Sequence, residues 1–155
     1  MRALGVDLSL ASCGLAVVEN SSLLFVATAK PPRSLESVGR REFILQRVKA
    51  LQDKFSTGVI VMEEARLFTG GVNVALASIA AIISLSTTIE DWAHKEAITV
   101  IKVHTNSWRK VVLGSGRAQK ADAIAYVTKH YGKTLRDDAA EAACLARYGL
   151  MKWEH

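Results

Sequence analysis

Several residue types that define whole classes of protein are scarce in this sequence. It has two cysteines, two prolines and ten glycines among 155 residues. Cys13 and Cys144 lie at opposite ends of the chain, which excludes a disulfide-stapled scaffold and predicts a reduced, cytoplasmic protein. So few glycines and prolines exclude collagen and low-complexity chains. No uninterrupted apolar run approaches the roughly 20 residues that a membrane span needs, so we expect no membrane association.

What the sequence does contain is typical of one basic globular domain, which we expect to span residues 1–155. Half of the residues are hydrophobic, and 20 lysines and arginines outnumber 15 acidic residues, for a net charge of +5. This balance favours an anionic partner, nucleic acid before membrane.

Apolar patterning predicts an α/β fold with a five-stranded mixed sheet and helices on both faces. The predicted strands cover 2–8, 13–19, 22–29, 59–62 and 97–103. The predicted helices cover 35–55, 73–94, 105–113, 117–131 and 136–148, the first of them capped by Ser34. Because the helix over 73–94 is hydrophobic nearly all round, we expect it to be covered on more than one face.

Acidic residues interrupt three of the apolar elements. Asp7 lies within the first strand run, Glu63 and Glu64 close the strand Val-Ile-Val-Met, and Asp138 and Glu141 share one face of the last helix. Ionised carboxylates in buried elements are costly unless they are paired or bind a cation. A shared divalent cation, Mg²⁺ or Mn²⁺, explains an all-carboxylate set.

Each acid also has an ordinary structural explanation. A lone Asp at a strand end is often a turn residue, and Glu-Glu after a strand is often solvated. Asp137 and Asp138 would complement the dipole at the start of a helix. The choices between Glu63 and Glu64, and between Asp137 and Asp138, stay open at this point.

Basic residues concentrate in the segment 102–133, where Asp122 is the only acid and the net charge is +6. Its cations are Lys102, Arg109, Lys110, Arg117, Lys120, Lys129 and Lys133. A cationic surface beside an acidic metal site is what a nuclease needs to hold a polyanion. Phe68, just beyond the acidic strand end, is a candidate for stacking on a base, although ordinary packing is the commoner role.

Together these motifs resemble the RuvC-type Holliday-junction resolvases of the ribonuclease H-like superfamily. The resemblance covers nearly the whole chain and rests on GVDLSLASCGLAVV (5–18), VIVMEEARLF (59–68), NSWRKVVLGSGRAQKADAIAYV (106–127) and DDAAEAACLARYG (137–149). It implies a ribonuclease H-like fold whose catalytic and metal-binding residues are Asp7, Glu63, Asp138 and Glu141. It also implies DNA contacts from Arg109 and Lys120, with Phe68 nearest to the aromatic that helps open the junction in relatives. Lys110 and Arg117 are further DNA-contact candidates from the basic segment alone. The family often has aspartate where this chain has Glu141.

The function implied by this resemblance is that of a crossover junction endodeoxyribonuclease. Such an enzyme is a homodimer that binds branched DNA, above all the four-way junction, and makes paired nicks. Two Mg²⁺ or Mn²⁺ ions in each active site would hydrolyse the phosphodiester, leaving 5′-phosphate and 3′-hydroxyl ends. The hydrophobic helix over 73–94 fits a dimer face. The source genome, cellular or viral, stays open at this point, although such a compact resolvase suits a phage.

Three alternatives remain at the level of sequence. The first is another ribonuclease H-like nuclease that acts on RNA or on an RNA–DNA hybrid. The second is a binding-only protein that recognises junctions without cutting them, which the retention of all four acids argues against. The third is an actin-like ATPase, because the segment Gly-Val-Asp-Leu-Ser (5–9) resembles the phosphate loop of that class. That class needs a second lobe, and we therefore expect no nucleotide cofactor.

Overall fold

The computed structural model describes residues 1–65 and 76–154, and its core is a five-stranded mixed sheet. The strands are β1 (Arg2–Asp7), β2 (Cys13–Glu19), β3 (Ser22–Ala29), β4 (Val59–Glu63) and β5 (Thr99–Val103). The helices are α1 (Ser37–Phe55), α2 (Leu76–Lys95), α3 (Thr105–Leu113), α4 (Lys120–Tyr131) and α5 (Asp137–Trp153). The sheet order is β3-β2-β1-β4-β5. This confirms the predicted α/β class.

Strand direction changes in the middle of the sheet. The antiparallel meander β1-β2-β3 turns at Asn20, whose φ of 51° is a left-handed conformation that asparagine tolerates. In contrast, β4 runs parallel to both β1 and β5. The carboxyl ends of β1, β4 and β5 therefore meet at one edge of the sheet.

Helices cover both faces of the sheet, as predicted. On one face α5, α3 and α4 pack on small sheet residues such as Ala3, Ala16 and Val61. On the other face α1 and α2 pack on larger ones, among them Leu4 and Met62. No helix in the described part of the chain combines the length and the hydropathy needed to cross a membrane.

Helix α5 approaches the sheet unusually closely, and this approach positions its acidic first turn. A Cβ at Gly5 would overlap the carbonyl oxygen of Ala142, and a Cβ at Gly14 would overlap that of Asp138. Only glycine allows backbone to pack on backbone at these two points. The buried alanines of α5 keep the helix surface flat there.

Several predicted element boundaries differ from those observed. Helix α1 begins at Ser37 after Glu36 rather than at 35 after Ser34, because the Leu35 amide donates to the Pro32 carbonyl in a turn. Helix α4 begins at Lys120, three residues after the predicted start at 117. Helix α5 continues past 148, because Gly149 packs closely against Val61 instead of ending the helix. Residues 73–75 of the predicted long helix lie outside the described residues.

Candidate active site

Two of the predicted site residues end neighbouring parallel strands. Asp7 is the last residue of β1 and Glu63 is the last residue of β4. In β2, Gly14 pairs with Asp7, and the Asp138 carbonyl lies directly over that glycine. The first two turns of α5 therefore bring Asp138 and Glu141 to the strand ends. Elements far apart in sequence thus place four carboxylates at one edge of the sheet.

The electrostatics of Asp7 report how close these carboxylates are. The pKa of Asp7 rises from 3.8 to about 8, first because burial removes its carboxyl group from water. The negative charges of Glu141, Glu63 and Asp138 raise this pKa further, and nearby Lys120 opposes them. Asp7 therefore lies near the other three carboxylates, and their negative charges act on it together.

Both carboxylate oxygens of Glu63 accept a hydrogen bond from α3. The Thr105 hydroxyl donates to Glu63 Oε2 at 3.0 Å, and the Trp108 indole Nε1–H donates to Oε1 at 2.5 Å. Trp108 is fully buried. From the sequence Trp108 is predicted to be a core or interface anchor. It is a core residue whose polar edge also reaches the acidic cluster.

Arg109 contacts the acidic cluster directly. Its guanidinium donates to Glu141 Oε1 at 2.6 Å and to the Ala118 carbonyl at 2.9 Å, and its side chain is only 16% exposed. Burial raises the pKa of Glu141, and the hydrogen bond from Arg109 opposes that rise. The sequence predicts Arg109 as a surface contact to DNA. The structure instead places it against Glu141, and a contact to DNA stays a prediction.

Asp138 is oriented by the turn that joins β1 to β2. The Ser12 hydroxyl donates to Asp138 Oδ2 at 2.7 Å. Ser12 is itself held by Ser9, whose hydroxyl oxygen accepts the Ser12 amide at 3.1 Å. The residues Ser12, Thr105 and Trp108 were not predicted as site residues, because isolated polar groups in a sequence do not show which carboxylate they will meet.

Glu64 and Asp137, the alternatives to Glu63 and Asp138, have their partners outside the acidic cluster. Glu64 pairs with His104 at 3.1 Å and is 44% exposed. Asp137 pairs with Lys120 at 3.3 Å and is 43% exposed. The hydrogen bond from Lys120 lowers the pKa of Asp137. Geometry therefore favours Glu63 and Asp138 for the cluster.

The remaining predicted DNA contacts lie at the surface or outside the described residues. Lys110, Arg117 and Lys120 are exposed, and Lys120 stands at the rim of the acidic cluster. Asp122, the one acid of the basic segment 102–133, caps α4 by accepting the Gln119 amide at 2.7 Å. Phe68 falls within 66–75, outside the described residues, and its predicted stacking role stays a prediction.

The chemistry of the cluster fits a divalent cation. Its donors are carboxylate oxygens, which Mg²⁺ and Mn²⁺ prefer. The pKa of Asp7 is raised first by burial and then by the negative charges of Glu141, Glu63 and Asp138, which a cation would neutralise. Within residues 1–65 and 76–154, however, no three His, Cys, Asp or Glu side chains are close enough to form a metal cage as they stand. The donor set suits a metal, while the cage is not preformed.

Comparison with solved structures identifies the class of fold. The Thermus thermophilus RuvC structure superposes with a TM-score of 0.80 at 20% identity, covering 99% of this chain and 96% of that one. T. thermophilus RuvC in complex with a Holliday junction substrate gives 0.79 at 19% identity, covering 99% and 94%. The yeast mitochondrial Holliday junction resolvase Ydc2 gives 0.66 at 15% identity, covering 98% and 78%.

These likenesses establish that the chain has a ribonuclease H-like fold. More particularly, its structural neighbours are Holliday-junction resolvases of the RuvC type, matched over nearly the entire chain. No protein-family model matches the sequence, and no curated protein matches it at the significance threshold. At this level of identity the comparison defines the fold, and activity must be argued from the site.

Proposed function

We propose that this protein is a metal-dependent endonuclease that resolves four-way DNA junctions. The observation that carries the proposal is the convergence of Asp7, Glu63, Asp138 and Glu141 at one sheet edge, with Asp7 electrostatically coupled to the other three. Structural neighbours that include a resolvase bound to its junction substrate support the substrate class. Other branched DNA, such as forks and flaps, belongs to the same proposal.

The four carboxylates would hold two Mg²⁺ or Mn²⁺ ions. Bound there, these ions supply the Lewis acidity that lowers the pKa of an attacking water and stabilises the leaving oxygen. The protein partly buries these carboxylates, which strengthens their attraction for a cation, and it orients them with hydrogen bonds. Ser12 orients Asp138, and Arg109 orients Glu141. The products would be 5′-phosphate and 3′-hydroxyl ends.

The exposed cations beside the cluster would bind the DNA backbone. Lys110, Arg117 and Lys120 are exposed on α3, α4 and the turn between them. Lys120 is near enough to Asp7 and Glu141 to affect the electrostatics of the cluster. A phosphate held at Lys120 would therefore lie next to the proposed metal site. In this role the lysine neutralises the backbone and makes no sequence-specific contact.

Paired nicking requires two active sites, and we propose that α2 supplies the homodimer interface. Leu76 is 77% exposed and Ile83 is 38% exposed on this helix. Such apolar exposure along one helix is typical of a surface covered by a partner. A second copy placed there would give the two-fold symmetry that cleavage of opposite junction strands needs.

A cleavage assay on matched substrates tests the proposed function. The substrates are a synthetic four-way junction, a fork, a flap, a linear duplex and an RNA–DNA hybrid, each incubated with Mg²⁺ or Mn²⁺. We expect symmetric nicks in the junction and little cutting of the linear duplex. Cleavage of the hybrid with the junction left intact would instead support a different ribonuclease H-like nuclease.

Asp7→Asn separates cleavage from binding. Because it removes one carboxylate from the metal site but no cation from the surface, we expect nicking to be abolished while junction binding in a mobility-shift assay is retained. Wild-type protein that binds the junction but never nicks it, under any of the metal conditions, would support the binding-only alternative.

A further inference from the structure

We infer that Trp108 is a positioning residue, which holds the Glu63 carboxylate in the orientation needed to bind a metal. The inference rests on the proposed metal site and adds to it a residue outside the four carboxylates. Trp108 touches neither the cluster centre nor the exposed surface. It acts through one hydrogen bond, from its indole Nε1–H to Glu63 Oε1.

Glu63 is held by a hydrogen bond on each of its two carboxylate oxygens. Thr105 Oγ1 donates to Oε2, and Trp108 donates to Oε1. Both donors lie on α3, three residues apart, on one face of the helix. A glutamate side chain has three rotatable bonds, and two fixed donors restrict all three. The clamp leaves the second lone pair of each oxygen available to a cation.

The indole of Trp108 is fixed in place by the core around it. Trp108 is 0% exposed, and it is the largest of the fully buried side chains among the described residues. A buried indole N–H needs an acceptor, and in this structure the acceptor is a carboxylate of the acidic cluster rather than a backbone carbonyl. The core around the ring fixes the donor, so the donor cannot follow the carboxylate if it rotates.

Helix α3 contacts two carboxylates from different elements. Trp108 bonds to Glu63 at the end of β4, and the next residue, Arg109, bonds to Glu141 on α5. The two contacts differ in kind. Arg109 is a cation that offsets the charge of Glu141, whereas Trp108 is a neutral donor that leaves the charge of Glu63 intact. Trp108 can therefore orient the Glu63 carboxylate without offsetting its negative charge.

Metal affinity and the indole resonances test this inference without measuring cleavage. The chain has three tryptophans, Trp92, Trp108 and Trp153, so a ¹H–¹⁵N spectrum shows three indole signals. On titration of the wild-type protein with Mg²⁺ we expect the Trp108 signal to shift, while the other two stay in place. Trp108→Phe keeps most of the ring volume and removes the donor. We expect it to weaken Mn²⁺ binding by about 10-fold or more, the usual effect of losing an outer-shell partner.

Trp92→Phe is the matched control, because Trp92 packs on the opposite face of the sheet. It should bind Mn²⁺ within about 2-fold of the wild-type affinity, as expected for a change that removes no partner of the site. Thermal unfolding shows whether each variant is folded. If Trp108→Phe does not fold, the Mg²⁺ titration of the wild-type indole signals decides alone, and an unmoved Trp108 signal overturns the inference.

The outcomes separate this inference from the proposed function. Folded Trp108→Phe that binds Mn²⁺ like the wild type overturns the inference, whatever the junction assay shows. A Trp108 signal that shifts with metal, in a protein that cuts no branched DNA, supports the inference and contradicts the proposed function. Wild-type protein that binds neither Mg²⁺ nor Mn²⁺ overturns both.

Discussion

In two pairs of adjacent acids, one side chain faces the acidic cluster at the sheet edge and its neighbour faces solvent. Glu63 faces inward and is held by Trp108, whereas Glu64 is exposed and paired with His104. On α5 the same contrast separates Asp138, bonded to Ser12, from Asp137, which pairs with Lys120 at the surface.

The comparison shows that surroundings, and not residue type, select the candidate site residues. The outward acids have basic or titratable partners in water, where such pairs contribute little to stability. The inward acids lie near Asp7, whose pKa rises first because it is buried and further because of their negative charges. Carboxylates that repel one another destabilise the fold, and such clusters with shifted pKa values are typical of functional sites.

Neutralising each member of the glutamate pair in turn tests most directly whether Glu63, and not Glu64, serves the site. Glu63→Gln should reduce junction cleavage by at least about 100-fold, because it removes a proposed metal ligand and outer-shell partners alone are worth about 10- to 100-fold. Glu64→Gln is the control and should change cleavage by no more than about 2-fold, as a surface substitution away from the site. Single-turnover cleavage rates measure both variants. Equal losses in the two would refute the assignment of Glu63.

The aspartate pair gives the same test on α5, with a smaller expected effect. In Asp138→Asn the amide oxygen can still accept the hydrogen bond that Ser12 donates to Oδ2, whereas the amide of Glu63→Gln sets an NH₂ group against one of two donors. We therefore expect a loss of about 10- to 100-fold in the cleavage rate. Asp137→Asn breaks only the surface contact with Lys120 and should leave the rate nearly unchanged. If Asp137→Asn proves the more damaging substitution, the inward role given to Asp138 is wrong.

The repulsion within the cluster should also appear in the pH dependence of stability. The folded state raises the pKa of Asp7 from 3.8 to about 8, so between these values it keeps a proton that the unfolded chain releases. The free energy of unfolding in EDTA should therefore fall as the pH rises from about 4 to 8.

Asp7→Asn should remove most of this slope. At pH 8.5 we expect the variant to be more stable than the wild type by a few kcal/mol, since each unit of pKa difference is worth about 1.4 kcal/mol. Thermal and denaturant unfolding at pH 5 and pH 8.5 measure the difference. Parallel stability profiles for the two proteins would show that Asp7 is not strained in the fold.

The smallest expected effect concerns Lys120, which connects the two sides of the comparison. It pairs with Asp137 at the surface and lies close to Asp7 and Glu141. Lys120→Ala should weaken binding to junctions of many sequences and reduce the slope of log affinity against log salt by about 1, as loss of one phosphate contact does. Lys152→Ala, near the end of α5, is the control. An unchanged slope for Lys120→Ala would argue against this phosphate contact.

Much of the fold was predictable because periodicity and turn residues are local properties. The five strands, their mixed sheet and the layers of helices follow from apolar runs broken at Asn20 and at the glycines 114 and 132, and both glycines end helices in the left-handed conformation. Boundaries that depend on packing were not predictable. Gly149 is a typical helix-ending residue, but its close contact with Val61 keeps it inside α5.

The candidate site was predictable only in part. Acids at strand ends are visible in a sequence, and parallel strands bring their carboxyl ends to one edge. The sequence could not choose between adjacent acids, nor show that Arg109 turns toward Glu141. It also could not show that the Trp108 indole reaches Glu63.

The sequence by itself determined which residues form the sheet, where acids end its strands and where positive charge accumulates, because each of these depends on near neighbours in the chain. Only the tertiary structure decided which acid of each pair faces the cluster and which donors hold it. Those choices depend on how closely α5 and α3 approach the sheet, and contacts at that range join residues as far apart as Ser12 and Asp138.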